Sequence, residues 1–197
     1  SIQIIEEKIG MKLDKPFALV TFHPVTLENH TAESQIKELM EACIEVDNMK
    51  FIFTKANADD DGDVINKVID TYVRKYSDKM VCVASLGSQL YLSAMSYCSF
   101  LMGNSSSGII EAPSFKIPTI NIGDRQKGRE QAISIINCEP NKRSILSAIE
   151  KAMTDQFRNE CASVINPNGD GYTSEKIIKY LKEIYKSNLN LRVKHFY

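Results

Sequence analysis

The residue types in Gly103-Asn104-Ser105-Ser106-Ser107-Gly108-Ile109-Ile110-Glu111 suit the binding of an anion. The apolar run Phe100-Leu101-Met102 before it reads as the end of a buried strand, and Ile109, Ile110 and Ala112 read as the start of a short helix. Strand, small-residue loop and helix start is a layout that holds phosphate. Gly103 and Gly108 let the backbone approach a ligand closely, the first helical N–H groups lack internal partners, and the serine hydroxyls add donors. No Gly-Lys-Ser/Thr closes the loop, so it is not a Walker A sequence, and it lacks the GxGxxG dinucleotide fingerprint. The same residues also suit a serine-rich cap on an ordinary helix.

Four further sites bear on the same chemistry. Gly123-Asp124-Arg125-Gln126-Lys127-Gly128-Arg129 puts three cations and two glycines in seven residues. Such a loop can clamp a diphosphate, since arginine bonds two oxygens at once; a solvated basic loop is the alternative. Glu111 would repel a phosphate but can accept both hydroxyls of a ribose diol, or simply compensate the helix dipole. Tyr91 and the Ser85-Leu86-Gly87 turn can frame a base, although Tyr91 also falls on an apolar helix face. His23, restricted by Pro24, can contact a phosphate as imidazolium or relay a proton as imidazole, or bond to its own loop. His30 reads as part of a helix start and His195 as tail.

Other chemistries find less support. Asn57-x-Asp59-x-Asp61-Gly62 resembles the opening of an EF-hand, but the twelfth position, which needs a bidentate carboxylate, is Val68. Asp59–Asp63 read better as acidic residues at a helix N-terminus. No metal and no other cofactor is expected. No nucleophilic triad is readable among the serines.

The elements that must position these residues alternate. Strands are predicted at Phe17–Phe22, Phe51–Thr54, Met80–Ala84, Phe100–Met102, Pro118–Ile122 and Ile133–Ile136. Helices are predicted at Thr31–Val46, around Ile65–Tyr76, and at Gln89–Met95, Ser144–Met153 and Ser174–Tyr185, from apolar residues at helical spacing. Alternation of this kind argues an α/β fold, a doubly wound, Rossmann-like parallel sheet. Ligands of such sheets bind beyond the carboxyl ends of the strands. His23, Asn57, Ser85–Gly87, Gly103–Ser107 and Gly123–Arg129 should therefore line one rim.

The chain has 197 residues, 43% hydrophobic and 25% charged, with net charge −1. This is ordinary for a globular protein and gives no reason to expect nucleic acid or an anionic membrane as partner. The cysteines Cys43, Cys82, Cys98, Cys138 and Cys161 are odd in number, lack CxxC spacing and sit largely in apolar segments, which suits a reduced, cytoplasmic compartment. No apolar run reaches the roughly 18 residues of a membrane span, and the start lacks the order of a signal peptide.

Three motifs together resemble the hydrolysing UDP-N-acetylglucosamine 2-epimerases: Val20-Thr21-Phe22-His23-Pro24-Val25-Thr26-Leu27-Glu28, Gly103–Pro113 and Asn121–Arg129. The resemblance covers roughly Phe17 to Tyr185. Where the non-hydrolysing branch carries a Thr-His-Arg-Arg-Glu-Asn-type run, this chain has Thr-Phe-His-Pro-Val-Thr. The resemblance implies the C-terminal half of a two-domain GT-B fold, the half that holds UDP. It implies that His23 contacts the diphosphate and takes part in catalysis. Ser105, Ser106, Ser107, Gly108 and the neighbouring amides would bind phosphate, and Glu111 the ribose. Leu86 and Tyr91 would lie by the uracil, with Asn57 and Arg125 lining the cleft. The family reaction removes the sugar C2 proton, expels UDP to leave a glycal and adds water, releasing N-acetylmannosamine or a related 2-epimeric amino sugar.

The organisation implied is an interdomain linker or helix remnant over 1–15, a UDP-binding domain over 16–186 and a tail over 187–197. The partners implied are a UDP-sugar and an N-terminal domain of the same protein that carries the proton-handling acids. The opening Ser-Ile-Gln, without Met, reads as a processed chain or a fragment inactive by itself. The final helix is expected to pack on the N-terminal domain, and apolar surface bared without it would favour a homodimer. A GT-B glycosyltransferase half, a non-enzymatic UDP-sugar sensor and a protein scaffold are the alternative readings.

Overall fold

Six strands form one parallel sheet in the order β3-β2-β1-β4-β5-β6. They are β1 (Phe17–Thr21), β2 (Lys50–Thr54), β3 (Met80–Val83), β4 (Phe100–Gly103), β5 (Thr119–Ile122) and β6 (Ile135–Cys138). The helices are α1 (Ile2–Ile9), α2 (Ala32–Glu45), α3 (Gly62–Lys75), α4 (Gly87–Met95), α5 (Ser107–Ile110), α6 (Lys142–Met153), α7 (Asp155–Ala162) and α8 (Thr173–Lys186). A 3-10 turn at Ala112–Phe115 follows α5. This computed structural model describes residues 1–25, 31–57 and 61–186. His30, Asp59, Asp60, His195 and the tail lie outside the described residues.

Burial on both faces explains the strand sequences. Ala18 and Val20 of β1 enter one apolar cluster, and Phe17 and Leu19 the other. Phe51 and Phe53 of β2 oppose Ile52, and Phe100 and Met102 of β4 oppose Leu101, in the same way. A strand covered on both sides has no polar face to show. Ile36 and Leu39 of α2, Ile65 and Ile69 of α3 and Ile145 and Ile149 of α6 cover the first face. Ile5 and Ile9 of α1, Ala94 and Met95 of α4 and Ala112 cover the second. Residues 1–15 thus place Ile5, Ile9 and Leu13 in the core. All five cysteines are free thiols. Burial pushes Cys98 and Cys138 up to about 12 and Cys82 and Cys161 up to about 11, so thiolate is scarce at neutral pH.

Two elements differ from the sequence reading. β6 runs Ile135–Cys138, not Ile133–Ile136, because pairing with β5 starts at Thr119 opposite Ile135 and leaves Ile133 67% exposed. Helix α7 was not anticipated. Its apolar anchors are Phe157 and Cys161, capped by Thr154, whose hydroxyl accepts the Phe157 N–H at 3.2 Å. One turn of apolar spacing is too short a signal to read as periodic.

At the end of β4 the chain turns sharply across the end of β1. Gly103 has φ +130°, and a Cβ there would lie 1.9 Å from the Thr21 carbonyl oxygen. Gly123, at φ +71°, has open space around it. Gly103→Ala is therefore expected to lower stability by about 3 kcal/mol or more, through backbone clash and strain together. Gly123→Ala should lose only about 1 kcal/mol, the left-handed penalty alone. Urea unfolding of the two variants checks the difference.

Candidate functional site

Because all paired strands are parallel, the segments that follow them emerge on one edge of the sheet. His23 follows β1, Asn57 follows β2, Ser85–Gly87 follow β3, Asn104–Ser107 follow β4 and Gly123–Arg129 follow β5.

Asn104 joins three of these segments. Its side chain is fully buried. Its Oδ1 accepts the His23 N–H at 2.7 Å and its Nδ2 donates to the His23 carbonyl at 2.7 Å. Its own N–H donates to the Thr21 carbonyl at 3.1 Å. Its carbonyl accepts from Arg125 Nη1 at 3.1 Å and from Gln126 Nε2 at 2.8 Å. His23 is 8% exposed, and its Nδ1 accepts the Asn57 N–H at 3.4 Å. With Nδ1 the acceptor, a neutral His23 carries its proton on Nε2. The structure therefore brings His23, Asn57, Ser105 and Arg125 to one edge.

The short helix expected after the serine loop begins at Ser107, two residues ahead of Ile109. Helix α5 has only four residues, and the Gly108 and Ile109 amides are already bonded to the Ser105 and Ser106 carbonyls at 3.2 and 3.0 Å. The amides of Ser105 and Ser106 have no internal acceptor among the described residues. The donors available to an anion are thus the Ser105 and Ser106 amides, just ahead of the first amides bonded within the turn. Gly108 packs against Thr119, where a Cβ would meet the threonine methyl at 2.7 Å, and Thr119 Oγ1 donates to the Gly108 carbonyl at 3.0 Å. At the far end of α5, Asn166 Nδ2 donates to the Ile110 carbonyl at 2.8 Å and Asn168 Nδ2 to the Ile109 carbonyl at 3.1 Å. These side chains satisfy carbonyls that a helix end leaves unpaired.

The remaining candidates fall in different surroundings. The Tyr91 hydroxyl lies 2.7 Å from that of Ser107. Burial raises the Tyr91 phenol, its hydrogen bonds with Ser107 and Thr21 lower it, and the nearby Glu111 charge raises it again. Glu111, exposed, therefore sits close to Tyr91 and the serine loop. Leu86 is buried in the second cluster, beside a turn in which the Gly87 N–H donates to Ser85 Oγ at 3.0 Å. Among the three cations of the basic loop, Arg125 is the one that bonds to Asn104. Lys127 pairs with Asp124 at 3.2 Å, and Lys127 and Arg129 line a separate crevice of about 990 Å3 with Arg143 and Lys151 of α6.

Sequence reasoning missed Asn104, Thr119 and Gln126 as organising residues. A polar side chain at the end of a buried strand must find partners, which was the available signal for Asn104. Its partner His23 is 81 residues away, and no local pattern shows the pairing.

The fold and rim define a doubly wound, Rossmann-like α/β protein of the type found in one half of a GT-B fold. The chain belongs to the UDP-N-acetylglucosamine 2-epimerase family, whose model matches residues 1–182. It is 43% identical over 175 residues to the GDP/UDP-N,N'-diacetylbacillosamine 2-epimerase (hydrolyzing) of Campylobacter jejuni, a match covering 89% of this chain and 45% of that protein. It is 37% identical over 196 residues to the polysialic acid biosynthesis protein P7 of Escherichia coli, covering 99% and 49%. A solved S. aureus MnaA–UDP co-structure has the same fold, with TM-score 0.71, 19% identity and coverage of 98% of this chain and 51% of that one. The chain thus spans about half the length of the curated relatives it matches.

Asn104→Ala removes both bonds to His23 and leaves a buried N–H and C=O without partners. The expected loss is about 2–4 kcal/mol, from a penalty of about 1–3 kcal/mol per buried orphan group. Urea unfolding measures it. Serine at this position, which can restore only one of the two bonds, should fall between wild type and alanine.

Proposed function

We propose that this chain is the UDP-holding, C-terminal half of a hydrolysing UDP-amino-sugar 2-epimerase. The observation that carries the reading is the tie of His23, the serine loop and Arg125 through one buried asparagine. Family membership and the hydrolysing relative add to it.

In this reading the Ser105 and Ser106 amides, the loop hydroxyls and Arg125 bind the diphosphate, while Gly108 seats the loop against Thr119. Glu111 accepts the ribose hydroxyls. Leu86 and Tyr91 lie on the base side, and Asn57 lines the cleft and orients His23. The proton at sugar C2 is taken by an acid–base group on the other half of the protein. The C1–O bond then breaks, its electron pair leaves on the UDP oxygen, and a C1=C2 double bond remains. Water adds to that bond to give the free 2-epimeric sugar. Negative charge grows on the diphosphate as the bond breaks, so donors aimed there stabilise the transition state more than the substrate. His23 Nε2–H is the catalytic donor among them.

The substrate class is a UDP-linked 2-acetamido sugar. UDP-N-acetylglucosamine and a diacetamido-trideoxy sugar both satisfy it, and the name of the C. jejuni relative favours the second. The product is N-acetylmannosamine or its diacetamido counterpart.

Titration with UDP should show binding to the 197-residue chain without turnover of any UDP-sugar. The full-length protein should release UDP and free sugar with no acceptor present. His23→Ala in that protein should lower kcat by about 10²–10³-fold, the usual effect of removing one transition-state donor. Turnover by the chain alone, or a glycosidic product that requires an acceptor, would overturn the proposal.

A further inference from the structure

The hydroxyl of Tyr91 meets the serine loop at Ser107. Tyr91 Oη is 2.7 Å from Ser107 Oγ, and the Thr21 side chain lines the same small cavity as Tyr91. Thr21 Oγ1 is 2.6 Å from Thr54 Oγ1. Two hydroxyl pairs, one between β2 and β1 and one between α4 and the serine loop, thus lie at this end of the sheet. The ring of Tyr91 packs with the second apolar cluster. It walls a small cavity under the loop with Leu19, Leu101 and Gly108.

We infer that Tyr91 is a positioning residue for the diphosphate, acting through the Ser107 hydroxyl, and is not a stacking partner for the base. The inference rests on the UDP reading above and changes the role given there to Tyr91. A hydroxyl has one proton to donate, and each hydroxyl here can act either way. A phosphate oxygen above Ser107 can only accept, so it claims the Ser107 proton. Tyr91 must then donate to Ser107 Oγ, so that its O–H and that of Ser107 point the same way, toward the phosphate. Hydrogen bonds aligned in this way polarise one another. The half-buried ring, meanwhile, packs against the second apolar cluster. Burial holds the phenol above its ordinary range, which keeps Tyr91 protonated and able to donate at neutral pH.

The test measures affinities of the 197-residue chain for UDP, uridine and inorganic pyrophosphate, by calorimetry or NMR shift titration. Tyr91→Phe keeps the ring and removes only the hydroxyl. It should weaken UDP and pyrophosphate by a common factor of about 3–10, the usual worth of one hydrogen bond, and leave uridine unchanged. Ser107→Ala should weaken the same two ligands. The double variant should bind no more weakly than Ser107→Ala alone, because the two changes break one interaction. Equal weakening of UDP and uridine with pyrophosphate untouched would make Tyr91 a base contact and overturn the inference. So would three unchanged affinities, or additive losses in the double variant. If Tyr91→Phe melts earlier than wild type, Ser107→Ala alone decides by whether it affects pyrophosphate but not uridine. Wild-type chain that ignores UDP would refute the UDP reading and this inference together. Normal UDP binding with no response in the variants would refute this inference alone.

Discussion

One buried carboxamide holds the rim of this protein together. Asn104 gives and receives a hydrogen bond at the main chain of His23, and its own carbonyl collects the side chains of Arg125 and Gln126. An asparagine with no solvent contact must satisfy all its polar atoms internally. That requirement fixes three loops, brought from distant parts of the chain, relative to one another. Everything upstream serves it. The parallel sheet puts the ends of β1, β4 and β5 side by side, and Gly103 alone allows the chain to cross Thr21 closely enough for Asn104 to reach His23.

The electrostatics of the rim follow from placement and not from bulk charge. A formal net charge of −1 creates no broad attractive field for an anion. The loops offer directed donors in its place: two amides without internal acceptors among the described residues, and the guanidinium of Arg125, which bonds to Asn104. Arginine has five N–H donors in a fixed fork, so committing one of them orients the others. Lys127 and Arg129 are near in sequence but turn toward α6, where they face Arg143 and Lys151 across a crevice. A basic run of seven residues thus divides its cations between two surfaces.

Much of the fold was legible because burial on both sheet faces leaves a plain mark on sequence. Phe51-Ile52-Phe53 and Phe100-Leu101-Met102 read as strands because neither run has a polar face. The shared rim followed from alternation alone. Less legible were the features set by side chains at long range. Nothing near Asn104 announces that it pairs with His23. Tyr91 looked like a base contact or a core residue, and it combines an apolar ring environment with a polar bond to the serine loop. A short helix was expected at Ile109, Ile110 and Ala112, but the side chains that meet its far end were hidden. Its end depends on Asn166 and Asn168, more than fifty positions further on.

Helix α8 differs from every other long helix here in having no buried residue. Ile177, Ile178, Leu181 and Tyr185 are all more than half exposed. A helix of this length with no fully buried side chain is marginal in water. Its amide protons should therefore exchange through local fraying, at rates unrelated to those of the central strands, and proteases should nick it while the sheet stays intact. The polypeptide accordingly contains two tiers of cohesion, and a melting curve that follows total helicity will blur them into one.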